Sequence, residues 1–263
     1  MLLSVDRLRR DDFLLKLSML ISESDKRSAF VFIHGYNVTF EDAARRTAQI
    51  AYDLGFEGAP IFYSWPAKGR LDQYEEDEQS IADSVPKVRQ FLEAIADGSG
   101  AEIIYLVAHS MGNRGLTLAL QEMASDSGAN QYPVFKEIIL TVPDIDAAMF
   151  RQDIAPVLGV GYERVMLYSS DKDKVLLASR VIHKLRPRAG GLIDGISVLV
   201  GGIDSIDVSG VETNLGVGHT YYGSNRSVLS DLFNLIKHDL APDERFGLEP
   251  VEQDEGRYWR FRP

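Results

Sequence analysis

The residues best suited to chemistry are Ala108-His109-Ser110-Met111-Gly112. A short apolar run, Glu102–Val107, leads into them and a helical pattern follows. A serine held at a tight strand-to-helix turn exposes its hydroxyl above a sheet, provided the flanking positions are small. Gly112 meets that requirement, and Ala108 stands where glycine is more usual. The helix beginning there also offers free N–H groups and a positive dipole end to an anion beside the serine. The plain structural alternative is a serine that caps a helix.

A serine nucleophile needs a base, and histidine titrates close to neutral pH. The five histidines are His34, His109, His183, His219 and His238. His109 is adjacent to Ser110 and projects away from it, and His34 ends the first strand. His183 and His238 fall at helix ends, where a cation suits the dipole. His219 lies in a glycine-flanked loop (Gly216, Gly218) between the last strand and last helix, and is the expected base. The carboxylate that orients it should follow a strand between serine and histidine. Asp173, at the start of a helix just before Val175, is preferred; Asp171 is the runner-up, and Asp144 and Asp146 form a further alternative. Each of these could equally be a helix cap.

An acyl transfer also needs donors for the developing oxyanion. The first strand, Ala29–Ile33, ends in His34-Gly35-Tyr36-Asn37, where glycine permits close backbone approach. The expected donors are the backbone N–H groups of Tyr36 and Met111. His34, Gly35, His109 and Trp65, in the Ser64-Trp65-Pro66 turn, are the candidates for lining the substrate pocket. For Trp65 a packed aromatic turn is the competing reading.

These residues need strands to carry them. Short β-branched apolar runs alternate with longer helical patterns, which predicts a mostly parallel sheet with helices on both faces. Strands are expected at 29–33, 59–63, 102–107, 135–142, 164–168 and 205–208. Helices are expected at 13–21, 41–54 (capped by Thr39), 81–96 (with Pro86 near its start or kinking it), 111–123, 147–157, 174–183 and 227–238. The acidic run Asp72 to Glu78 reads as a solvated face. The glycine-rich stretch 186–202 reads as a loop, flap or insertion. Residues 1–240 form the expected domain, and 241–263 a surface-docked tail too short for its own core.

Bulk properties narrow the partners. The 263 residues carry 39 acidic against 28 basic side chains, a formal net charge of −11, which disfavours nucleic acid and anionic membrane surfaces. There is no cysteine, so thiolate chemistry and disulfides are excluded. No apolar run approaches the ~20 residues of a membrane span. With Met1 as the native start, no signal peptide is present and a cytoplasmic location is expected.

Taken together, FVFIHGYNVTFEDAARR (30–46), YSWPAKG (63–69), AHSMGNR (108–114), LYSSDKDKVLLASR (167–180) and GHTYYG (218–223) resemble a family of α/β-hydrolases of unknown function, mostly bacterial and loosely described as esterase- or lipase-like. The likeness covers roughly residues 10–240. It implies the α/β-hydrolase fold, a serine hydrolase and an acid at Asp173; it does not supply a substrate. The chain order Ser110, Asp173, His219 is that of this fold. The expected reaction is hydrolysis of a small-molecule ester or lipid-like substrate through an acyl-enzyme, without metal or organic cofactor. The alternative is a non-catalytic binding module on the same fold.

Overall fold

The computed structural model describes residues 2–127, 134–211 and 225–262. Eight strands form one sheet: β1 (Ser28–Ile33), β2 (Ala59–Tyr63), β3 (Ile103–His109), β4 (Phe135–Thr141), β5 (Arg164–Ser169), β6 (Asp204–Asp207), β7 (Leu248–Gln253) and β8 (Gly256–Phe261). Their spatial order is β2-β1-β3-β4-β5-β6-β8-β7. Every pairing is parallel except β7 with β8. The helices are α1 (Arg10–Ser22), α2 (Phe40–Asp53), α3 (Tyr74–Gly98), α4 (Gly112–Ser127), α5 (Ala147–Met149), α6 (Ala155–Gly161), α7 (Lys174–Ile182) and α8 (Arg226–His238). A π-turn, Phe150–Ile154, joins α5 to α6.

The continuous apolar runs of β1 and β3 follow from cores on both sides. Side chains alternate across a strand. Ala29, Val31 and Ile33 therefore join Ile104, Leu106 and Ala108 on one face, under α1, α3, α4 and α6. Phe30, Phe32, Tyr105 and Val107 face the other side, against α2 and α8. Thr39 caps α2 by accepting from the Asp42 N–H, as its sequence position predicts.

Two segments differ from expectation, and a third, the expected glycine-rich loop, is held more firmly than its composition suggests. α3 starts at Tyr74, not residue 81, and Pro86 lies in its interior. Glu75, Glu76 and Asp77 occupy its first turn, where carboxylates favour the dipole, so the acidic run builds a helix end. It is not uniformly solvated: Asp77 is fully buried and Tyr74 is buried. The 186–202 stretch is anchored. Ala189 and Gly190 donate to Ile145 O and Pro143 O, and Ser170 donates to Gly190 O. A Cβ on Gly190 would stand 2.3 Å from the Val142 carbonyl carbon, so only glycine fits there. Residues 241–263, expected as a surface tail, supply β7 and β8 to the main sheet. Arg245 is wholly buried and pairs with Asp231 of α8 at 2.9 Å. No helix among the described residues is long and apolar enough to cross a membrane.

Candidate functional site

Ser110 follows β3 directly and has φ of +51°, a left-handed conformation that a non-glycine residue adopts at a cost of about 1–2 kcal/mol. The surrounding structure enforces it. Ser110 N–H donates to Thr141 O, and Ser110 O accepts from the N–H groups of Asn113 and Asp144. The buried Asn113 amide adds bonds to Ser110 O (2.9 Å) and Thr141 O (3.1 Å). The turn is thus fastened to the ends of β3 and β4. A Cβ on Gly112 would lie 2.3 Å from His34 O, which explains the glycine two residues after the serine. Ser110 Oγ is buried and has no hydrogen-bond partner among the described residues.

The end of β1 closes on this turn. A Cβ on Gly35 would stand 2.9 Å from His109 Nδ1 and 3.0 Å from Ser110 Cβ. Gly35 therefore brings Tyr36 alongside the serine, and Asn37, at φ of +56°, bends the chain away. The turn is clamped from α3: Asp77 accepts from Asn37 N–H (3.2 Å) and Lys68 N–H (2.6 Å). The Tyr36 hydroxyl donates to Leu71 O. Among the described residues, neither the Tyr36 nor the Met111 backbone N–H has an acceptor.

Trp65 is buried, stacks on His34 at 5.1 Å between ring centroids, and donates Nε1–H to His34 O. It braces the end of β1 as a packed aromatic turn. Burial holds the His34 imidazole below its usual pKa, against hydrogen bonds it donates to the backbone carbonyls of Gly35 and Trp65, which oppose the shift. His34, Gly35, His109, Ser110 and Met111 thus meet at the C-terminal ends of β1 and β3.

The four candidate carboxylates separate clearly. Asp171 is exposed. Asp146 caps α5, accepting from Ala148 and Met149 N–H. Asp144 is buried and saturated: it accepts from Ser179 Oγ (2.5 Å), Arg188 Nε (2.8 Å) and the Tyr74 hydroxyl, with Arg114 at 3.4 Å. Burial resists its ionisation, but the Arg114 and Arg188 guanidinium groups prevail and hold the carboxyl below the usual range. Asp173 is also buried; its Oδ1 accepts from Val175 and Leu176 N–H, capping α7. It follows β5, two strands from β3 in the sheet, at the same edge as Ser110.

His219 lies outside the described residues, in the connection between β6 and α8. His183 bonds Ser179 O (2.8 Å) and Glu78 (2.9 Å), and His238 packs edge-on to Phe233. Because Ser110 Oγ has no partner among the described residues, none of His34, His109, His183 and His238 engages it.

The sequence reading missed Asn113, Asp77 and the Asp144 cluster with Tyr74, Arg114, Ser179 and Arg188. Asn113 and Arg114 stand in the AHSMGNR run, which was the available signal. A cavity of about 470 Å³ opens beside this cluster, between α3, α4 and α5, with Ile81, Leu118, Ile145 and Met149 on its apolar wall.

A strained serine turn between the third strand in sequence and the helix after it, within a mostly parallel sheet covered on both faces, is the layout of the α/β-hydrolase fold. The chain belongs to the family described as alpha/beta hydrolase of unknown function (DUF900), whose model matches residues 10–237. No curated protein matches the chain. Solved structures similar to it include a predicted CIB-like hydrolase from Thermoplasma acidophilum, at 12% identity over 81% of this chain and 88% of that one, with a TM-score of 0.44. Carboxyl esterase 2 from Tuber melanosporum is 14% identical over 82% of this chain and 77% of its own, with a TM-score of 0.46. Esterase B from Lactobacillus rhamnosis, solved with a tributyrin phosphonate inhibitor, is 12% identical over 80% and 74%, with a TM-score of 0.45.

Proposed function

We propose that the protein is a serine hydrolase acting on ester-type bonds through an acyl-enzyme. Ser110 Oγ attacks the carbonyl carbon and its proton passes to His219; the carbonyl π pair moves to oxygen, which the Tyr36 and Met111 N–H groups receive. Collapse of the tetrahedral intermediate expels the alcohol, protonated by His219. Water, deprotonated by the same imidazole, then releases the acid. Asp173 holds the imidazole tautomer and stabilises its cation. His34, Gly35, His109 and Trp65 shape the mouth of the site, with Trp65 acting through His34. The substrate is a small-molecule or lipid-like ester.

The observation that carries this reading is the strained, buried hydroxyl of Ser110, whose backbone is fastened by Asn113, Thr141 and Asp144 while its Oγ has no partner among the described residues. Strain of this kind persists only where the surroundings impose it. Purified protein treated with a fluorophosphonate probe is expected to label on one serine. Ser110→Ala should abolish labelling and His219→Ala should slow it at least about 100-fold. Labelling that survives in Ser110→Ala defeats the nucleophile assignment. Absence of labelling in folded wild type favours a binding module.

A further inference from the structure

Helix α7 carries large apolar side chains into solvent, as α1 does with Leu15, Met19 and Leu20. Leu176 and Ser179 turn inward, whereas Leu177 (45% exposed), Val181 (68%), Ile182 (45%) and Leu185 (66%) stand in solvent. Four large apolar side chains thus form a ridge along one helix and the residues just beyond it. The helix ends in a Schellman motif: Leu185 N–H reaches Arg180 O and Lys184 N–H reaches Val181 O. Lys184 and Leu185 both have positive φ, +55° and +64°, where glycine is usual. In that motif the second residue commonly packs back on the helix. Here backbone strain instead carries an exposed leucine, continuing the ridge.

Cations collar it. Residues 172–188 hold Lys172, Lys174, Arg180, Lys184 and Arg186, besides Arg188 buried against Asp144, and the segment has a single carboxylate, the buried Asp173. Lys172, Lys174, Lys184 and Arg186 are exposed. The neighbouring acids are Asp171, Asp146 at 3.8 Å from Arg186, Glu78 at 2.9 Å from His183, and Asp144, which Arg188 neutralises. In a chain of net charge −11 this reversal is local. A local patch is what a nearby surface meets, because charges more than about 8–10 Å away are screened at physiological salt.

We infer that α7 docks the protein on an anionic lipid surface, with Leu177, Val181, Ile182 and Leu185 entering the headgroup boundary and the surrounding cations pairing with lipid phosphates. Apolar residues bordered by Lys and Arg are the composition of interfacial helices, whose long cationic stems lie along apolar surface while their heads remain in water. Protein interfaces instead deplete lysine. Docking needs no chemistry at Ser110, so its failure leaves the nucleophile assignment standing. Read with that assignment, it places the strand edge bearing Ser110 near ester lipids, since the proposed acid Asp173 caps this same helix.

Sedimentation with vesicles of phosphatidylcholine alone, or of phosphatidylcholine and phosphatidylglycerol in equal parts, tests the inference. Wild type and Ser110→Ala should both sediment with the mixed vesicles, much less with the neutral ones, and lose binding at high salt. Lys184→Ala and Arg186→Ala should each weaken binding about fivefold. Leu177→Ser with Leu185→Ser should reduce it to background, while Tyr52→Ser, on the exposed side of α2, leaves it unchanged. Thermal melts verify that each variant folds. Equal binding to both vesicle types, no binding by wild type, or binding insensitive to the leucine substitutions overturns the proposal. So does a wild-type dimer that the leucine substitutions dissociate without any vesicle binding, because the ridge would then join two copies.

Discussion

Asp144 and Asp173 both follow a strand, both are buried, and both face the edge that carries Ser110. Their surroundings give them different work. Asp144 neutralises two guanidinium groups in a closed network. Asp173 uses one oxygen to cap a helix. Asn at 173 keeps a capping oxygen but loses the charge and changes the tautomer it would favour on a histidine. Asp173→Asn should therefore fold normally yet lose up to about 10⁴-fold in turnover. Asp144→Asn should lower stability by about 3–5 kcal/mol, because the buried Arg188 is left without its carboxylate while Arg114 keeps Glu78. Paired thermal melts and ester-hydrolysis or probe-labelling rates distinguish them. A full-rate Asp173→Asn would remove this residue from the triad. The elbow was legible in the sequence because its signal is local: an apolar run, two small residues, a serine. The Asp144 network was not, because its donors come from Tyr74, Arg114, Ser179 and Arg188, each distant in sequence or contributed by another element.

At the scale of elements, β4 shows how a strand's ionisable residue answers to burial. Glu137 is almost fully buried, and burial pushes its carboxyl up to about 8 despite Arg164 at 3.5 Å. Arg164 is shared with Asp239, and Glu137 Oε2 has no partner among the described residues. The loss of solvation exceeds the attraction of that one shared cation. In the native protein Glu137 thus keeps its proton to about pH 8, whereas the unfolded chain releases it near 4.5. Its contribution to stability is full below the unfolded value and falls as pH rises through this window. Glu137→Gln removes that dependence. The melting temperature of the variant relative to wild type should rise between about pH 5 and about pH 8; a constant difference would refute the assignment. The strands themselves were readable because parallel strands buried on both faces are continuously apolar. The start of α3 was not, since an acidic run looks solvated until Asp77 is seen accepting from two loop amides.

For the whole molecule, the C-terminal segment completes the fold. β8 pairs with β6, Trp259 and Phe261 join the core shared with α8, and Arg245 links Asp231 to Tyr168. Removing residues 242–263 should abolish a cooperative melt, and Arg245→Ala alone should lower stability by about 3–5 kcal/mol by stranding the Asp231 charge. Near-UV circular dichroism and thermal melts measure both. A shortened protein that melts as the intact one does would show the hairpin to be dispensable. This role escaped the sequence reading because β7 and β8 are short, polar on one side, and gain their partner only across the sheet.

The pairing of β8 with β6 also orders events during synthesis. When β6 and then α8 emerge from the ribosome, the partner for the far edge of β6 has not yet been translated. The nascent sheet therefore passes through an interval with an unpaired margin and an uncompensated Asp231 beneath it. Open strand margins invite association between neighbouring chains. Slower translation of the β7–β8 hairpin is therefore expected to lower the soluble yield on overproduction.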